Sequence, residues 1–124
     1  MFLRIVLIGS LTIAAAGCGQ STPTTTTPSP APATGSGASV SIVVNASTLT
    51  TGAFNPNPIT IAHGSSVTWM NNDAITHTST SDNGMWNSGG IAPGGSFTTT
   101  FATAGTFTYH CSLHPNMVGT VTVR

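Results

Sequence analysis

From Tyr109 to Met117 the chain reads Tyr-His-Cys-Ser-Leu-His-Pro-Asn-Met, which packs a thiol, an imidazole and a thioether into one short stretch. Their spacing is Cys-x2-His-x2-Met, carried by Cys111, His114 and Met117. In an oxidising compartment a lone thiol is a target for oxidation unless something occupies it. The only other cysteine, Cys18, lies far upstream, either lipid-modified or on a flexible leash, so it is no credible disulfide partner. Metal ligation is the natural use of Cys111. Ligand softness then selects the metal. One thiolate, two imidazoles and a weak thioether suit copper, whereas structural zinc takes four strong ligands, commonly with two or more thiolates.

A second imidazole has to come from His63, His77 or His110. His110 adjoins Cys111 on a predicted strand, so their side chains face opposite ways. His63 sits in an Ala62-His63-Gly64 turn with no other ligand-type residue nearby. His77, at the start of a predicted strand, is the best candidate. His63 and His110 are read as histidines without a metal role.

Strands must position these groups. Sixteen of the residues from 39 to 124 are threonine, which favours pleated sheet over helix. Period-two alternation puts Phe97, Thr99 and Phe101 on one face, and likewise Phe107, Tyr109 and Cys111, and Val121 and Val123. Turn signals such as Asn55-Pro56-Asn57-Pro58, Asp82-Asn83-Gly84 and Ala92-Pro93-Gly94-Gly95 separate the runs. Strands are predicted near 40–44, 59–62, 66–71, 76–81, 96–102, 105–111 and 118–123. Such a pattern predicts an all-β, Greek-key β-sandwich of about seven to eight strands. Trp69, Trp86, Phe97, Phe101 and Phe107 are the expected core aromatics.

Charge is nearly absent. Of 124 residues only Arg4, Asp73, Asp82 and Arg124 are charged, against about a quarter in a typical domain. No basic patch exists for nucleic acid, and two acids are poor material for a paired-carboxylate hydrolase. The N-terminal stretch has one basic residue, Arg4, then an apolar run from Ile5 to Ala16, which is shorter than the roughly 20 residues a membrane span needs. It reads as a signal peptide over 1–17, and Ala15-Ala16-Gly17-Cys18 resembles a bacterial lipobox with Cys18 as the lipidated residue. Residues 18–38, rich in Thr, Pro, Ser, Gly and Ala, read as a disordered linker. The functional domain is then 39–124, held outside the cytoplasm on a lipid anchor, in the periplasm or at the cell surface.

The 39–124 segment resembles the cupredoxins, specifically the amicyanin-like and plastocyanin-like blue copper proteins. The resemblance rests on Gly105-Thr106-Phe107-Thr108-Tyr109-His110-Cys111, the Cys-x2-His-x2-Met loop, Gly119-Thr120-Val121-Thr122-Val123, and Ser66-Val67-Thr68-Trp69-x-Asn71. It implies one copper ion, cycling between Cu(I) and Cu(II), with His77, Cys111, His114 and Met117 as ligands. It implies outer-sphere transfer of single electrons between extracytoplasmic redox proteins rather than catalysis. It implies as electron port the exposed edge of His114 with Pro115, expected to be ringed by Leu113, Ile75 and Phe54. Copper storage or delivery is the competing function; transient protein partners and a monomer are expected. Thr76 and Thr78 stand where the family often has Pro and Asn. The resemblance implies that the Thr78 N–H reaches the Cys111 sulfur, and that Asn71 bridges the His77 and Cys111 loops. Leu113 replaces a common Pro, so its N–H is expected to donate a second hydrogen bond to sulfur and raise the potential.

Overall fold

Alternating threonine and β-branched residues build eight strands in the computed structural model, which describes residues 36–124. They are β1 (Ala38–Ile42), β2 (Phe54–Asn55), β3 (Ile59–Ile61), β4 (Ser66–Asn71), β5 (Thr80–Ser81), β6 (Ser96–Thr100), β7 (Gly105–His110) and β8 (Val118–Val123). Two single-turn 3-10 helices, Ala46–Thr48 and Thr51–Ala53, connect β1 to β2. The readings of 1–17 as a leader, Cys18 as lipidated and most of 18–38 as a linker lie outside the described residues. No helix among the described residues is long and apolar enough to cross a membrane.

One sheet has the order β2-β1-β4-β6 and the other β3-β8-β7-β5. β1 runs parallel to β4 and β3 parallel to β8, while the remaining pairs are antiparallel. Alternation decides what faces in. Val67, Trp69 and Asn71 of β4 are buried, while Ser66 and Thr68 turn outward and share hydroxyl hydrogen bonds with Thr100 and Thr98 of β6. Val40 and Ile42 from one sheet meet Ile59, Ile61, Phe107, Tyr109, Val121 and Val123 from the other. Between them Trp69 stacks on Trp86 at 5.7 Å and meets Tyr109 edge-on at 5.4 Å. Burying each such side chain contributes about 1.5–3 kcal/mol. Phe101 and Phe107 complete this cluster, and Phe97 packs on it only partly buried.

β4 and β8 have the bounds read from the sequence, whereas other strands are shorter or shifted. β1 lies at 38–42 rather than 40–44, and the two-residue β2 has no counterpart in the prediction. The predicted strand at 76–81 is corrected most. Only Thr80–Ser81 joins a ladder, and His77 makes an isolated bridge with Ile91. The reason is local. The N–H groups of Thr78 and Ser79 donate to the Cys111 sulfur and the Ser88 hydroxyl, so this segment spends its backbone donors on side chains.

Candidate metal centre

Cys111 follows the last residue of β7 and keeps its period, so its side chain continues the buried Phe107–Tyr109 face. His110 points the other way, half-exposed, with Nδ1 2.6 Å from Asp82 Oδ1. Beyond Cys111 two tight turns fold the loop back on itself. The His114 N–H donates to the Cys111 carbonyl at 3.2 Å and the Met117 N–H to the His114 carbonyl at 2.9 Å. The Cys111 N–H then donates to the Met117 carbonyl at 3.1 Å and closes the loop. The x2 spacings are thus the lengths of two turns, which bring a wholly buried Met117 back beside the cysteine.

His77 arrives from the β4–β5 connection and is fully buried. Its Nδ1 lies 3.8 Å from the Cys111 sulfur, and His114 Nδ1 lies 3.6 Å from it. All three donor atoms fall within 4.8 Å of one another. Metal–sulfur and metal–nitrogen lengths of about 2.3 and 2.0 Å, arranged trigonally, require sulfur–nitrogen edges of about 3.7 Å. The two sulfur–nitrogen edges therefore match those a single ion requires, and the donor set suits it in softness. His63 is an exposed turn residue and, like His110, stays outside the cluster.

The surroundings immobilise the donors. The Thr78 N–H lies 3.3 Å from the Cys111 sulfur. The Thr78 hydroxyl accepts the Ser112 N–H at 2.8 Å and sits 3.1 Å from the Ser112 hydroxyl, stapling the ligand loop to the His77 segment. Replacing Thr78 by valine keeps the shape and removes the hydroxyl that the Ser112 N–H donates to. A loss of about 0.5–1.5 kcal/mol is expected in urea unfolding of the apo-protein.

Three expectations are corrected. The Leu113 N–H makes no hydrogen bond to sulfur; the backbone donor that reaches it is the Thr78 N–H. Leu113→Pro removes no such bond and is expected to leave the reduction potential at the wild-type value in voltammetry. Asn71 bridges within its own side of the site. Its amide donates to the carbonyls of Ile75 and Ile91, both at 2.8 Å, and its Oδ1 accepts the Asp73 N–H. It steadies the His77 segment but does not reach the Cys111 loop. Phe54 is not at the surface; it lies in the core, 4.8 Å from the Tyr109 ring. Leu113, Pro115 and Ile75 are exposed, and His114 is half-buried.

Asp73 is the site residue that sequence reasoning missed. Its Oδ2 lies 2.8 Å from His77 Nε2, on the side of the ring away from sulfur. The hydrogen bond from His77 and those from the Ala74 and Asn45 N–H groups outweigh burial and hold its carboxyl down at about 2 from 3.8. The i, i+4 spacing of a rare acid and a candidate ligand was the available signal.

Comparison with known proteins places these features in a family context. A family model described as a cupredoxin-like domain matches residues 19–123. Plastocyanin from Scenedesmus fuscus is 37% identical over 84 residues, covering 57% of this chain and 86% of that protein. Chloroplastic plastocyanin from Tetradesmus obliquus is 35% identical over 99 residues, covering 64% and 68% respectively. Among solved structures, a purple cupredoxin from Nitrosopumilus maritimus superposes with a TM-score of 0.65 at 33% identity, covering 70% of this chain and 99% of that one. A reduced Cu(I) form of an amicyanin mutant gives a TM-score of 0.60 at 25% identity, over 71% of this chain and 82% of that one.

Proposed function

This chain belongs to the cupredoxin family, and from that premise we propose that it is a blue copper protein carrying single electrons between extracytoplasmic redox partners. Its cofactor is one copper ion, and His77, Cys111, His114 and Met117 are the residues that hold it. The observation that carries this reading is the convergence of one sulfur and two imidazole nitrogens within 4.8 Å of one another. Bound copper supplies reversible one-electron chemistry between Cu(II) and Cu(I).

The protein's part is to hold the donors still and keep water out. The closed loop from Cys111 to Met117, the Thr78–Ser112 staple and Pro115 leave the donors little freedom to rearrange, which keeps reorganisation on electron transfer small. His77, Cys111 and Met117 are wholly buried. Because catalytic metal sites keep a position open for substrate, a site filled by four protein ligands argues for a carrier over an enzyme. Half-buried His114 is the port through which electrons enter and leave. The exposed side chains of Leu113, Pro115 and Ile75 give it a small, uncharged rim suited to brief contact with a redox protein.

A lipidated Cys18 and a linker over 18–38 would tether a monomeric domain to the outside of a bacterial membrane. Voltammetry of the copper-loaded domain tests the function. A reversible one-electron wave, with copper retained against a chelator, supports the carrier. Rapid surrender of copper to the chelator with no reversible wave would favour storage or delivery instead.

A further inference from the structure

We infer that Asp73 is a positioning residue of the copper centre: its carboxylate fixes the His77 tautomer that turns Nδ1 towards Cys111 and biases the site towards the oxidised ion. The inference rests on the copper reading above for its redox half only. Its other half concerns the apo-protein.

Neutral imidazole carries one N–H, and the hydrogen bond made by one ring nitrogen decides which atom holds it. An ionised carboxylate only accepts hydrogen bonds. With Asp73 Oδ2 2.8 Å from His77 Nε2, the proton must sit on Nε2. The Nδ1 lone pair is then free and faces the Cys111 sulfur at 3.8 Å. The opposite tautomer would set a lone pair against the carboxylate inside a fully buried site.

The carboxylate is itself anchored. Oδ1 accepts the Asn45 N–H at 3.0 Å and the Ala74 N–H at 2.8 Å, and Oδ2 accepts the Ala46 N–H at 3.2 Å as well as the His77 proton. Asn45 sits in the left-handed region, φ 59, at the start of the turn after β1. Two of its donors therefore come from a segment far from His77 in sequence, and the imidazole is tied through Asp73 to the end of β1. All four donors are uncharged N–H groups or a neutral ring. Asp73 keeps its full negative charge, and the only basic residue among the described ones, Arg124, hydrogen-bonds through its backbone at the opposite end of β8.

That charge has a direction. A carboxylate behind a ligating imidazole raises the ligand's basicity, and removing such a partner typically costs about 10–100-fold in metal affinity. The more highly charged Cu(II) loses more than Cu(I), so the reduction potential rises. A tenfold loss confined to Cu(II) corresponds to about 59 mV in a one-electron couple.

The test pairs nitrogen-15 NMR of the apo-protein with voltammetry of the loaded protein, on wild type and Asp73→Asn. Asparagine keeps the shape, but its NH2 group cannot accept the N–H groups that both carboxylate oxygens now receive. Wild-type apo-protein is expected to show His77 protonated on Nε2. The variant is expected to lose that single tautomer, to bind Cu(II) about 10–100-fold more weakly and to have a higher potential. A change in stability alone would not move the potential. Wild-type His77 protonated on Nδ1 would overturn the inference even if the variant failed to fold. So would a folded variant with wild-type tautomer and potential. If the wild type took up no copper the function would fall, while the tautomer would still decide the role of Asp73.

Discussion

Cys111→Ser is expected to abolish the intense visible absorption of the oxidised, copper-loaded protein. The band needs a thiolate donor close to Cu(II), and Cys111 is the only cysteine among the described residues. Serine is nearly the same size, so the packing of the β7 end against Tyr109 and Thr78 should survive. Its hydroxyl, however, is neither soft nor ionised at neutral pH, so it cannot take the place of the sulfur that selects copper. The apo-variant should unfold close to the wild type while its copper form stays colourless. A coloured Cys111→Ser protein would mean that another group supplies the charge transfer. Loss of the fold in the apo-variant would mean that the thiol is chiefly a core residue.

Gly119→Ala is expected to cost about 3 kcal/mol, at the top of the range for overpacking a well-filled interior. Gly119 stands opposite Tyr109 in the β7–β8 ladder, and the tyrosine ring lies across the glycine. An added Cβ would overlap ring atom Cζ and come within 2.7 Å of Cε1. The ring has nowhere to go. Phe54 at 4.8 Å, Trp69 at 5.4 Å and Trp86 at 5.9 Å enclose it. Moving β8 instead would strain six paired residues between Val118 and Val123. Burial also pushes the Tyr109 hydroxyl up to about 12, so the side chain gains nothing by ionising in place. For a domain of this size the loss corresponds to a fall of roughly 12–24 °C in Tm, read by thermal unfolding of the apo-protein. A fall of only a few degrees would show that the tyrosine is free to move.

What could be read from the sequence depended on how local its cause was. The Cys111–Met117 spacing was legible because two tight turns set it, and turns are local. The bounds of β4 and β8 were legible because each alternates inward and outward residues without interruption. Residues 76–81 carry threonine at every second position, yet most of them leave the sheet, because the N–H groups of Thr78 and Ser79 serve sulfur and a serine hydroxyl from other elements. Periodicity cannot see a competing acceptor that arrives from elsewhere in the chain. Leu113 failed for a related reason. Its possession of an N–H was plain, but which backbone N–H meets the sulfur depends on how two distant segments come together, and that donor is Thr78. Asp73 needed both kinds of information, since its link to His77 is local while Asn45 and Ala46, which follow the neighbouring strand β1, lie 28 and 27 residues away in sequence. Phe54 looked like a rim residue until β2 paired with β1 and carried it inward.

The central claim is that one ion sits among His77, Cys111 and His114 and carries a single electron. Titration of the apo-domain with Cu(II), its thiol reduced beforehand and air excluded, followed by visible absorption, tests it most directly. The account predicts an intense band that saturates at one copper per chain and is bleached reversibly by one electron equivalent. A colourless protein, or colour that keeps rising beyond one equivalent, would contradict it.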